Sequence, residues 1–264
     1  MRSNKFFIFS CLIFLSSCVI HESTKEQSCL FPKEKLEKGG LINRLINKDN
    51  LEDSYEKFIC RDFSNYRLVY PISYSSKKKF MIMGEDIILS KKEFRESRIS
   101  IKDSKFNKVS KENLKRINSE REIYARKITS KSSKKYQNIR FNFPAKGIIS
   151  SEYGVKRYIN GSPRNPHLGI DIAAETGTSV IAPENGKVIF VGEFFYRGKL
   201  IIIDHGNGII STYSHLNETL VSEGDKILKN SKIATIGSSG RVTGPHLHFE
   251  IILFGIKVNP MLFL

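Results

Sequence analysis

The chain has 264 residues, and its 43 lysines and arginines outnumber 27 aspartates and glutamates to give a formal charge of +16. A hydrophobic content of 40% is ordinary for a globular protein and gives room for an N-terminal segment plus one or two domains with real cores. The cationic surplus implies an anionic partner without naming it. Cell-wall polymer or an anionic lipid surface suits an exported chain, whereas nucleic acid is disfavoured because no recognition motif for it is present.

The first element in chain order is an export signal. Arg2 and Lys5 precede an apolar stretch over residues 6–15 that is broken by Ser10 and is too short to span a bilayer comfortably. Leu15-Ser16-Ser17-Cys18 follows and resembles a bacterial lipobox. The resemblance implies cleavage before Cys18, lipidation of that cysteine and a membrane anchor. An ordinary secretory signal with an incidental cysteine is the alternative. Processing would remove Arg2 and Lys5, leaving +14, and Val19 in place of aspartate favours the outer membrane. Cys11 falls in the apolar stretch, so Cys29 and Cys60 remain as a candidate disulfide in an oxidising compartment, with free thiols the alternative.

Residues 19–60 read as a tether or loose cap, polar and charged as far as residue 50 and containing Gly39-Gly40. Residues 61–140 hold 22 basic and 9 acidic residues, a net of +13. Short β-type runs over residues 66–74, 80–83, 86–89 and 97–101 predict a small basic β-rich domain. Ser110 then caps an expected helix over about 110–130, with Leu114, Ile117, Tyr124 and Ile128 as its apolar stripe. There is no internal repeat and no transmembrane helix after the signal.

Residues 141–264 read as β throughout, with strand-like runs at 188–191, 200–203 and 209–213 separated by glycine turns. Four of the six histidines sit here in three short motifs: His167-Leu-Gly-Ile-Asp171, Tyr213-Ser-His215-Leu, and His246-Leu-His248-Phe-Glu250. In the last, polar and apolar residues alternate, so a strand would project His246 and His248 from one face and turn Leu247, Phe249 and Ile251 to the core. Pro163, Pro166 and Gly169 argue against a helix around His167, and a loop entering a strand at residues 170–172 fits better. Imidazole and carboxylate are ligands zinc favours where a position stays open for water. This reading reaches one clustered site without assigning roles within it.

The segment of about 143–260 resembles the lysostaphin-type (LytM-type) zinc endopeptidases that cut peptidoglycan cross-bridges. The likeness rests on His-x-Gly-x-Asp at 167–171, Ala182-Pro183 with Gly186-Lys187-Val188, and Asp204-His205-Gly206-x-Gly208. It continues through Tyr213-Ser-His215-Leu, Gly224-Asp225 and Gly244-Pro-His246-Leu-His248-Phe-Glu250. Ser239 stands where threonine is common and Ser214 where alanine or glycine is common.

The resemblance implies a mainly β protein whose compact antiparallel sheet holds one zinc ion per chain in a groove. It also implies that His167, Asp171 and His248 are the metal ligands and that His215 and His246 are catalytic. His205 belongs to the family pattern but outside its ligand set and reads as structural. Glu250 is expected to orient a ligand or a loop, and Tyr213 to pack in the core or line the site. The expected activity is zinc-dependent cleavage of peptidoglycan peptide cross-links by a periplasmic, lipid-anchored enzyme, with a regulatory envelope protein as a further partner. A non-catalytic wall-binding protein or amidase activator on the same fold is the alternative, though such relatives usually lack several of the five residues. A peptidase turned on proteins or competing bacteria is the third reading.

Overall fold

The computed structural model describes residues 31–47, 52–62, 65–100, 109–130 and 139–264. The expected leader, Cys18 and Cys29 lie outside the described residues. Cys60 is disulfide-bonded, and the expected pairing with Cys29 falls on a residue outside that set.

Strands β1 (Leu41–Ile46), β2 (Ile59–Asp62) and β3 (Asn65–Pro71) form an antiparallel sheet in the order β1-β3-β2, followed by a hairpin of β4 (Lys79–Ile82) and β5 (Glu85–Ile88). A structured β1 corrects the expectation of a loose tether before residue 60. Leu41 and Ile42 are both fully buried and point into two different apolar clusters. Charged residues on either side hide this apolar pair from any composition window.

Strand β6 (Glu96–Ile99) runs parallel to β8 (Lys156–Ile159), which pairs in turn with β9 (Ser162–Pro163). The N-terminal strands are therefore not a free-standing domain. Leu41 and Val69 share one buried cluster with Ile172, Ile201, Tyr213 and Phe249 of the C-terminal region.

Helix α1 (Lys111–Ile128) has Ser110 at its N-cap, where the hydroxyl accepts from the Asn113 amide at 3.1 Å; such a cap contributes about 1 kcal/mol. The apolar face differs from the expected stripe. Ile117 is buried, and Ile123, Tyr124 and Ile128 pack against Phe194, Leu200, Ile202, Ile210 and Ile252, while Leu114 is 48% exposed. Among the described residues no helix is long and apolar enough to cross a membrane.

The main sheet is ten-stranded and antiparallel. Its continuous path is β15 (Lys226–Ile227), β12 (Gly186–Phe194), β13 (Gly198–Asp204), β14 (Ile209–Thr219), β17 (His246–Leu253), β10 (Ile170–Ala173) and β7 (Ile148–Ser151). Strand β18 (Ile256–Val258) extends β17, while β16 (Lys232–Ile236) joins β14 to β11 (Ser179–Ile181). The unbroken Leu200-Ile-Ile-Ile203 run has a direct cause. Ile201 and Ile203 face the main core, while Leu200 and Ile202 face the second cluster under α1. With both faces covered, no position on that run is left for a polar residue.

Candidate metal centre

Three strands bring the site together through their register. Asp171 on β10 lies opposite His248 on β17, which lies opposite Ser214 on β14, so one row crosses the sheet. Alternation along β17 turns Leu247, Phe249 and Ile251 into the core and leaves His246, His248 and Glu250 on the other face. His167 enters from the loop before β10.

His167 Nε2, Asp171 Oδ1 and His248 Nδ1 converge. They are separated by 2.9 Å (His167–Asp171), 2.7 Å (His248–Asp171) and 2.9 Å (His167–His248). All three residues are buried. Two imidazole nitrogens and one carboxylate oxygen this close are a fitting donor set for one divalent ion, and for zinc in particular. The outer contacts fit the same reading. His167 Nδ1 lies 2.9 Å from the Glu152 carbonyl and donates to it, leaving Nε2 free to ligate. His248 Nε2 lies 3.0 Å from Glu250 Oε1, leaving Nδ1 as the ligand atom. Burial opposes ionisation of Asp171, yet the imidazoles of His167 and His248 packed against it hold its carboxyl well below the usual range. The Arg157 guanidinium engages its second oxygen at 2.6 Å.

The other two histidines flank this triad. Their rings lie 4.9 Å apart, with His215 6.0 Å from the His248 ring and His246 Nε2 3.8 Å from Asp171 Oδ1. Each is held through Nδ1 by a backbone carbonyl, Ser239 at 2.8 Å for His215 and Gly244 at 2.9 Å for His246. Each Nε2 therefore carries the lone pair. Burial, reinforced by the neighbouring imidazoles of His248 and His246, pushes His215 well below its ordinary pKa, so it stays neutral. His215 also sits at an irregularity in the β13–β14 pairing with φ +66°. A bulge of this kind re-aims a side chain at the expense of local backbone strain.

Gly169 explains why the His-x-Gly-x-Asp motif tolerates no side chain at its centre. A Cβ there would stand 2.5 Å from the Phe249 carbonyl oxygen and 3.0 Å from His248 Cε1. Gly169→Ala is expected to push β10 and β17 apart and displace a ligand, weakening divalent-metal binding by about 10- to 100-fold. Competition with a chelator of known strength measures it, and zinc affinity within twofold of the parent would refute this account.

His205 is structural. Its Nδ1 donates to the Asn185 carbonyl at 2.8 Å and its Nε2 meets the Ser211 hydroxyl at 2.6 Å, which continues to Tyr213 OH at 2.7 Å. Tyr213 is fully buried against Phe249 and belongs to the core. Burial pushes His205 down to about 4, so between that value and the ordinary 6.5 or so the unfolded chain binds a proton that the folded chain refuses. Stability therefore falls as pH drops through that window, by on the order of 3 kcal/mol from this residue. Urea unfolding at pH 7 and pH 4 is expected to show the loss shrink by about that amount in His205→Gln. An unchanged difference would exclude His205 as its source.

Four contributors escaped the sequence reading: Arg157, Arg197, Lys257 and Tyr124. Glu250 is 2% exposed, and its Oε1 accepts from His248, from Arg197 at 3.1 Å and from Lys257 at 2.7 Å. Its Oε2 accepts from Thr212 at 3.0 Å and from Tyr124 OH on α1. Arg157 sits on the short strand β8 and Arg197 in the turn between β12 and β13, and no periodicity marks either as a partner of a buried carboxylate.

The antiparallel sheet thus carries a buried His/Asp/His donor set suited to one divalent ion, flanked by two carbonyl-anchored imidazoles. Residues 165–260 match the model of Peptidase family M23. The chain is 38% identical over 123 residues to the peptidoglycan DD-endopeptidase ShyA of Vibrio cholerae, covering 46% of this chain and 29% of that protein. It is also 38% identical over 113 residues to the DD-carboxypeptidase/endopeptidase Mpg of Neisseria meningitidis, covering 43% and 26%. The chain thus spans less than a third of the length of these curated relatives. A crystal structure from Pseudomonas aeruginosa assigned to peptidase M23 aligns with a TM-score of 0.65 at 26% identity, covering 87% of this chain and 95% of that one. That likeness extends well beyond the M23 segment into the N-terminal strands and helix.

Proposed function

We propose that the protein is a zinc-dependent endopeptidase that cleaves peptide cross-links in peptidoglycan. The observation that carries this reading is the convergence of His167, Asp171 and His248 with the free Nε2 atoms of His215 and His246 beside them. The similarity to peptidoglycan endopeptidases supports the substrate class.

His167, Asp171 and His248 would hold the ion. When bound, zinc supplies an acidified water and polarises the scissile carbonyl. The remaining chemistry belongs to the side chains. His215, kept neutral by burial, accepts a proton at Nε2 from the attacking water and returns it to the amine nitrogen as the C–N bond breaks. His246 has a side chain 17% exposed. With Nδ1 tied to the Gly244 carbonyl, its ring is aimed at the site and, as imidazolium, would donate the Nε2–H hydrogen bond to the oxyanion that develops on the tetrahedral carbon. No side chain forms a covalent intermediate. The leader and Cys18 support an envelope location with a lipid anchor.

The test is digestion of purified sacculi by the full chain loaded with zinc, followed by mass identification of released muropeptides. Cross-linked dimers are expected to fall as monomers rise, and a strong chelator should stop the reaction until zinc is restored. Dimers that survive prolonged incubation with zinc-loaded protein would defeat the proposal.

A further inference from the structure

The carboxylate behind the metal ligand is held partly by a residue outside the M23 segment. Glu250 uses Oε1 for His248 Nε2–H and Oε2 for the hydroxyls of Thr212 and Tyr124. Tyr124 reaches it from α1, with the Arg197 guanidinium 4.3 Å and Lys257 Nζ 5.1 Å from its ring centroid. These are the two cations that also bind Glu250. Helix α1 is fastened at this place. Glu120 accepts from the Phe195 amide at 2.8 Å, Arg116 donates to the Glu193 carbonyl at 3.3 Å, and Lys127 donates to the Ile189 carbonyl at 2.5 Å. The loop that supplies Arg197 is thus docked on the helix that supplies Tyr124.

We propose that Tyr124 is a positioning residue for the metal centre. By donating to Glu250 Oε2 it fixes the carboxylate whose other oxygen orients His248, and through that chain it sets the direction of the His248 Nδ1 lone pair. The inference rests on the metal reading of the His167/Asp171/His248 triad and extends it to α1. Without the hydroxyl, Oε2 keeps Thr212 alone, and the carboxylate plane, though still drawn by Arg197 and Lys257 at Oε1, is fixed less tightly against His248. Partners of this kind behind a ligand change metal affinity by about 10- to 100-fold.

The experiment measures zinc affinity by competition with a chelator of known strength, using the full chain as wild type, Tyr124→Phe, Glu250→Gln and the double variant. Melting of each metal-free protein is followed in parallel. Tyr124→Phe keeps the ring over Arg197 and Lys257 and is expected to weaken zinc binding about tenfold. The double variant should bind no more weakly than Glu250→Gln alone, because the tyrosine acts through that carboxylate. Unchanged affinity in Tyr124→Phe, with or without a lower melting temperature, would overturn the proposal, as would fully additive losses in the double variant. A wild-type chain that takes up no zinc would overturn the metal reading and this inference together. That result is distinguishable from intact wild-type binding that the variant leaves untouched.

Discussion

His246→Ala is expected to abolish cleavage while leaving bound zinc close to stoichiometric, whereas His248→Ala loses both. The two residues are neighbours on one face of β17, so the contrast isolates role from location. His248 presents Nδ1 to Asp171 Oδ1 at 2.7 Å and to His167 Nε2 at 2.9 Å, at the centre of the donor set. His246 stands at the rim, its Nε2 3.8 Å from Asp171, with Nδ1 tied to the Gly244 carbonyl. Loss of an acid–base imidazole lowers turnover by about 10²- to 10⁴-fold. Loss of a first ligand should weaken zinc binding by more than the roughly 10- to 100-fold seen for residues behind a ligand. Elemental analysis of both purified variants, with muropeptide release measured on the same samples, checks the pair. Equal zinc content in the two would show the ligand assignment to be wrong.

Glu250→Ala is expected to be among the most destabilising single changes in the molecule. The carboxylate is buried and carries Arg197 and Lys257, whose side chains are 22% and 19% exposed, together with His248. Burial by itself would raise its pKa. Arg197 and Lys257, with the His248 hydrogen bond, instead hold it well below the usual carboxylate range. Removing one member of such a buried group leaves cations without a counter-charge and costs about 3–5 kcal/mol. For a chain of this size the melting temperature should fall on the order of 10 °C. Calorimetry of the metal-free protein measures this without interference from zinc binding. A shift of no more than a degree or two would mean that water repairs the site, contrary to the burial described.

Much of the site was legible from spacing. Alternation in His246-Leu-His248-Phe-Glu250 specifies a strand with both histidines on one face, because side chains two apart on a strand must share a side. The glycine and prolines around His167 exclude a helix for a similarly local reason, and β10 begins at Ile170 as that reading requires. Residues 188–191 of β12 and 200–203 of β13 were legible as strands because nothing polar interrupts them, and 209–213 of β14 because isoleucine, threonine and tyrosine favour extended backbone. What escaped were contacts between residues far apart in the chain. Leu41-Ile42 is too short an apolar pair to signal a strand, and its burial depends on two clusters assembled from distant segments. The carbonyls of Ser239 and Gly244 that orient the flanking histidines carry no side-chain signature at all.

By itself, then, the sequence determined which chemical groups are present, which of them share a strand face and which segments are β, since these follow from local covalent geometry and period. Only the tertiary structure decided that Asp171 and His248 stand in register, that Arg157 and Arg197 turn inward, and that Tyr124 abandons a purely apolar face to hold a carboxylate 126 residues away. Those outcomes depend on how strands pair and how a helix docks. Such choices are settled by the burial of many side chains at once, and no short stretch of chain encodes them.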